Sequence, residues 1–205
     1  MRMSRVGRAA SALVVVYALG VASATAQGIQ AQFGVGLGRA IPTGAFRGDS
    51  RGEGFSGAWT GTAHVTLQAP RWPVGLRIEA MYAAHAANDQ LKSDLTTSFG
   101  QPADETIKLP GASAAVAYAL KRGQRVTPSV FGGIGVYHVT IAVTTGGTTT
   151  HNSATRLGWQ VGGELTYRAV FLELRYVAVA AVPGFHKTAF FPITAGVRFG
   201  HPSAT

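Results

Sequence analysis

His151 and Ser153 stand two residues apart, so on a strand an imidazole and a hydroxyl would share one face, and a carboxylate, Glu164, follows downstream. These three residue types could carry nucleophilic acyl chemistry: the serine attacks, the histidine takes its proton, and the acid orients the imidazole. Their spacing opposes it. Glu164 is an odd number of residues from both partners and therefore points to the other face of a strand, and "GGTTTHNSAT" has the composition of a polar loop tip. No catalytic residue is expected. The other histidines do not assemble a metal site. His64 falls on a polar strand face, His85 and His138 lie near loop mouths and His186 in a loop, and none sits at a recognised ligand spacing from a partner. "GVGLG" (34–38) imitates a phosphate-binding loop, but it lies within a strand and no helix follows it. Neither a cofactor nor a metal is expected.

A second constellation is made of charges: Arg77, Glu79, Glu164, Glu173, Arg175 and Arg198. The elements that must position them are strands. In "RLGWQVGGELTYR" (156–168), Leu157, Trp159, Val161, Leu165 and Tyr167 alternate with Arg156, Gln160, Glu164 and Thr166. This is period-two alternation over a longer run than the usual globular strand. Comparable runs recur near 29–38, 57–69, 74–84, 109–120, 126–140, 154–167, 169–180 and 188–199. Short connectors, "PRWP" (70–73), "KRGQR" (121–125) and the join at Arg168, alternate with longer ones near 39–56, 85–108, 141–153 and 181–187. Short turns on one side and long loops on the other are the mark of an up-and-down barrel.

The first residues carry Arg2, Arg5 and Arg8, then an apolar run from Ala9 to Ala22, then small residues at Ala24 and Ala26. That run is shorter than the roughly 20 residues a spanning helix needs, so residues 1–26 are expected to be a cleaved secretory signal peptide. The expected domains are then the signal peptide, a barrel over 27–199 and a short tail over 200–205. No later run is long enough for a spanning helix. The chain has 27 Gly and no Cys, and only 13% of its residues are charged, so neither disulfides nor a heavily charged, wetted surface supports the fold.

Nearly every strand charge lies opposite the large apolar residues. A soluble secreted barrel of lipocalin type would turn its apolar face inward. Here the long strands, the low charge and the aromatic residues near strand ends (Trp59, Tyr82, Tyr118, Tyr167, Phe199) point to lipid outside and polar groups inside. Leu76, Ile78, Leu157, Trp159, Leu165, Leu172, Leu174 and Val197 are expected to meet lipid. The six charges are expected to converge in the interior, with arginine bridging Glu164 and Glu173. Eight strands leave a lumen only wide enough for side chains, so a plug of salt bridges is expected in preference to an ion path.

The run "TPSVFGGIGVYHV" (127–139) and the terminal "FPITAGVRF" (191–199) resemble the glycine-rich strand and the closing strand of small bacterial outer-membrane barrels of the OmpA/OmpX type. The resemblance covers 29–199 and implies an all-β, eight-stranded antiparallel up-and-down transmembrane β-barrel in the bacterial outer membrane. It further implies a monomer of envelope-structural or surface-loop role, in contact with outer-membrane lipid, lipopolysaccharide and, during biogenesis, the barrel-assembly machinery. Extracellular ligands would meet the long loops. The six residues after Phe199 depart from the pattern of chains that finish at a terminal aromatic. The His151, Ser153 and Glu164 set is similar to that of outer-membrane lipid A deacylases, which makes a lipid A-modifying enzyme the alternative; Ala154 stands where the usual Asn would follow the serine.

The net charge of +9 falls to +6 once Arg2, Arg5 and Arg8 leave with the signal peptide. The excess sits in the short turns, at Arg71, Lys121, Arg122, Arg125 and Arg168, facing anionic lipid heads. No nucleic acid is needed to account for it.

Overall fold

A computed structural model of the chain describes residues 29–48, 52–69, 72–121, 125–181 and 188–200. The expected signal peptide (1–26), Arg71, Arg122 and His186 lie outside the described residues, as does the tail beyond Gly200. The strands are β1 (Gln30–Pro42), β2 (Ala58–Gln68), β3 (Val74–Ala86), β4 (Ala103–Ala119), β5 (Val126–Thr145), β6 (Thr148–Tyr167), β7 (Val170–Val179) and β8 (Thr188–Phe199). Each pairs antiparallel with its neighbours in sequence, and β1 pairs with β8 from Phe33↔Phe199 to Pro42↔Phe190, closing the barrel. Closure satisfies backbone groups that hydrocarbon could not.

Alternation along each strand sets the two faces. Leu37, Ile78, Ile134, Leu157, Leu172 and Leu174 are exposed on the outside, while Arg77, Glu79, Gln160, Glu164, Glu173 and Arg175 are buried inside. Aromatic residues bound the outer apolar band. Trp59, Tyr82, Trp159 and Phe191 mark one rim, and Trp72, Tyr118, Tyr167 and Phe199 mark the other. On β6 and β8 the two rims are eight residues apart, Trp159 to Tyr167 and Phe191 to Phe199. At a tilt of about 40° that is roughly 20 Å, close to the height of a membrane-barrel apolar band. Trp159, Tyr176 and Phe191 also pack ring on ring across β6, β7 and β8, at 5.3 and 4.9 Å between centroids.

Two expected loops are structured. Residues 141–153 form no long connector. Strands β5 and β6 run on to Thr145 and Thr148 and join through Gly146 and Gly147, with φ of 55° and 83°, the left-handed pair a two-residue hairpin turn requires. Eleven residues of each strand stand beyond Ile134 and Trp159, a ribbon roughly 28 Å tall at the same tilt. Beyond Gly158 no strand pairs with the outer edge of β6 among the described residues. Within 85–108, β3 continues to Ala86 and β4 begins at Ala103, with helix α1 (Asp89–Phe99) between them. Asn88 caps that helix by accepting from the Leu91 amide at 2.9 Å, and Gly100 ends it with a left-handed φ of 66°. The physical reason both segments escape an apolar-outside pattern is that water replaces lipid above the outer rim. There Ile107, Leu109, Val139 and Ile141 turn inward, while Lys108, His138 and Thr144 face out.

Leu174 lies midway between the rims on β7. Replacing it with Arg is expected to destabilise the barrel by about 2–4 kcal/mol, read by denaturant unfolding in lipid vesicles; Ser153→Arg, exposed above the band, is expected to change stability by less than about 0.5 kcal/mol.

Candidate functional site

The interior polar residues arrive by pleat alone. Register places Glu164 opposite Glu173, His64 opposite Glu79 and Thr66 opposite Arg77. Five strands thereby deliver charge or imidazole to one level: β2 gives His64, β3 gives Arg77 and Glu79, β6 gives Glu164, β7 gives Glu173 and Arg175, and β8 gives Arg198. All six charges singled out in the sequence occupy this one cluster.

Arg77 is its hub. Nη1 donates to Glu164 at 3.0 Å and Nε to Glu79 at 3.1 Å. Nη2 donates to Glu79 at 2.6 Å, to the Glu173 carboxylate and to Nδ1 of His64 at 3.0 Å. Its guanidinium also lies over the Phe131 ring, 4.4 Å from the centroid. Because arginine only donates, Nδ1 of His64 is the acceptor in this contact. Arg175 pairs with Glu79 and, at 2.7 Å, with Glu173. Arg198 pairs with Glu164 nearer the short-turn end, where 17% of its side chain is exposed. Glu164 and Glu173, adjacent across the β6–β7 hairpin, are thus bridged by arginine. Three guanidinium and three carboxylate groups balance, which is what burial of so many charges requires.

Neutral residues complete the cluster, and the charge pattern did not single them out. Gln160 accepts from Arg175 at 3.2 Å and donates to Ser113 at 2.9 Å; Gln32 accepts from Arg198 at 2.9 Å; Thr166 donates to Glu164 at 2.8 Å. Their inward parity was the available signal. Gly34 in "GVGLG" has a packing role: a Cβ there would come within 2.3 Å of the His64 ring.

His64, Glu79 and Glu173 bring one ligand atom each within 4.8 Å of the others. Arg77 Nη2 bonds to all three residues, so a guanidinium nitrogen stands where a metal ion would coordinate.

The interior is not polar throughout, as the sequence had suggested. Toward the long-loop end an apolar layer takes over, formed by Met81, Leu109, Tyr137, Val139, Val177 and Phe190. Phe46, from a single 3-10 turn (Gly44–Phe46) in the β1–β2 loop, packs on Phe55, His85 and Phe190 at centroid distances of 5.0, 4.9 and 6.5 Å. Arg156 faces inward at this end, half-buried, and pairs with no carboxylate among the described residues; its Nη1 donates to the Thr155 carbonyl at 3.3 Å. His151 and Ser153 are exposed on the outward face of the ribbon, and Glu164 is buried inside the barrel. The three do not form a triad.

Replacing Arg175 with Leu is expected to cost about 3–5 kcal/mol, because Glu79 and Glu173 lose a buried partner. Arg198→Leu, at the wetter end, is expected to cost less, about 1–2 kcal/mol. Equilibrium unfolding of both variants checks the order.

A family profile described as outer membrane protein beta-barrel domain matches residues 11–170. Among solved structures, a major outer membrane protein from Thermus thermophilus is similar at a TM-score of 0.61 and 15% identity, over 83% of this chain and 99% of that one. Ail, the attachment invasion locus protein of Yersinia pestis, in complex with the heparin analogue sucrose octasulfate, is similar at a TM-score of 0.51 and 13% identity, over 83% of this chain and 97% of that one. At these identities the likeness is one of fold. No curated protein matches the sequence.

Proposed function

The chain belongs to the outer membrane protein beta-barrel domain family, and from that premise we propose that it is a non-enzymatic, non-conducting barrel that acts through what it displays outside the membrane. Residues 1–26 direct its export and are then removed, and the barrel-assembly machinery inserts it as a monomer. The observation that supports this reading is the burial of the inward side chains at both ends of the barrel. A balanced ion cluster occupies the end near the short turns and an apolar layer the other, so side chains take the space a channel would need.

The β5–β6 ribbon supports the same reading from outside. Its exposed side chains are polar and uncharged for the most part, with Thr144 and Thr149 joined through their hydroxyls at 2.9 Å and His138 bonded to Thr155 at 3.1 Å. Such a surface suits contact with extracellular ligands or the sugars of neighbouring lipopolysaccharide. A deacylase reading would need a base and an acid beside Ser153, and the acid of that set, Glu164, lies in the ion cluster.

Two measurements test the proposal. In planar bilayers the purified barrel is expected to leave the baseline conductance unchanged, whereas sustained current steps would contradict a filled lumen. Mass spectra of lipid A from cells with and without the chain are expected to be identical; gain or loss of an acyl chain would restore the enzyme reading.

A further inference from the structure

The apolar band is uneven. Around β5, β6 and β7 large exposed side chains such as Ile134, Val161 and Leu172 stand out from it, interrupted only singly, at Gly132 and Gly163. Where β8, β1, β2 and β3 adjoin, it is hollowed. Gly61, Ala63 and Ala80 floor an outward groove of about 690 Å³, walled by Val35 and Leu37 on one side and Tyr82 on the other. The hollow is not imposed by packing, because a Cβ on Gly61 would come no nearer than 3.4 Å to Leu37.

A cation stands over the outer end of this groove. Register aligns Leu37 with Gly61 and, two residues higher, Arg39 with Trp59. The Arg39 guanidinium lies 5.4 Å from the centroid of the Trp59 ring, and its Nη2 donates to the Gly57 carbonyl at 3.2 Å. No carboxylate among the described residues pairs with it. Trp59 belongs to the outer aromatic rim, so the charge sits at the level of lipid headgroups. The stacking and the carbonyl bond fix the guanidinium in advance, which lowers the cost of holding an anion there.

We propose that this groove seats one acyl chain of a phosphorylated lipid of the outer leaflet, its phosphate on Arg39 and its chain running down over Gly61 and Ala63 between Leu37 and Tyr82. The two parts answer two chemistries of one molecule. A groove walled on two sides gives a chain more dispersion contacts than an open stretch of the band does, and the fixed cation complements the phosphate. The inference rests on the outer-membrane reading given above.

Native mass spectrometry of the purified barrel, with bisphosphorylated lipid A, its dephosphorylated form or a zwitterionic phospholipid added in turn, tests it. The wild-type barrel is expected to retain one bisphosphorylated lipid. Arg39→Gln is expected to lower that retention about tenfold, the loss of a charge-assisted hydrogen bond, and to leave dephosphorylated lipid unaffected. Gly61→Leu, with Ala63→Leu as a second way to fill the groove, is expected to lower retention of both. Equal retention by all variants would mean unspecific surrounding lipid only, and a two-protomer mass without lipid would put a second copy in the groove; either overturns the inference. Release of the wild-type chain from membranes without detergent overturns the outer-membrane reading itself and this inference with it, so the two failures are distinguishable.

Discussion

A backbone amide in hydrocarbon has no water to bond to, and the rest of this structure follows from that constraint. Every strand segment within the apolar band must pair on both sides, so the sheet has to close, and the β1–β8 seam is where it does. Once it is closed, the pleat gives each residue only two directions. Large apolar side chains go out to lipid, and whatever remains must fill a narrow lumen. Arg77, Glu79, Glu164, Glu173, Arg175 and Arg198 come together because parity leaves them no other place. Their pairing follows from burial: in so little solvent, a lone carboxylate or guanidinium would carry a desolvation penalty of several kcal/mol.

The same constraint explains where the pattern turns over. Above the rim marked by Trp59, Tyr82, Trp159 and Phe191, water replaces lipid outside, and the apolar residues of β4 and β5 move to the inner face. The barrel therefore has two interiors, an ion cluster within the membrane span and an apolar cap above it, closed by Phe46 and Phe190. The cap anchors the β1–β2 loop as well. His85 bonds to the Ser56 carbonyl at 2.9 Å, and Asn88 donates to the Gly52 carbonyl at 2.8 Å, tying that loop to the segment that leads into α1.

Much of this was legible in the sequence because a lipid-facing strand leaves a strong trace. The strand count, the antiparallel order and the two faces of β3, β6, β7 and β8 follow from alternation such as Leu172, Glu173, Leu174, Arg175. What was not legible lay outside the membrane, where beyond Val136 and Leu157 the outer face of the ribbon carries no large apolar side chain. Residues 141–153, with Gly146 and Gly147 at their centre, have turn chemistry that fits a tight hairpin, but only Ile141 and Val143 of the β5 half supply an apolar inner face, and Thr148–Ser153 of the β6 half supply none, so the segment resembles a loop. Helix α1 carried its own signals in Asn88 and Gly100, masked by an expectation of strands alone. The cluster was legible in its charges and not in its neutral members. Gln160 and His64 owe their roles to distances across the barrel that no local pattern encodes.

Parity sorts β7 into a lumen face and a lipid face, and a nitroxide scan of positions 173, 174 and 175 in reconstituted barrels reads that sorting residue by residue. A label at 174 is expected to be relaxed by oxygen dissolved in the bilayer and protected from a water-soluble paramagnetic reagent, while labels at 173 and 175 are immobilised and shielded from both. A label at 174 shielded from oxygen, with 173 and 175 reporting lipid, would invert the register and dissolve the ion cluster.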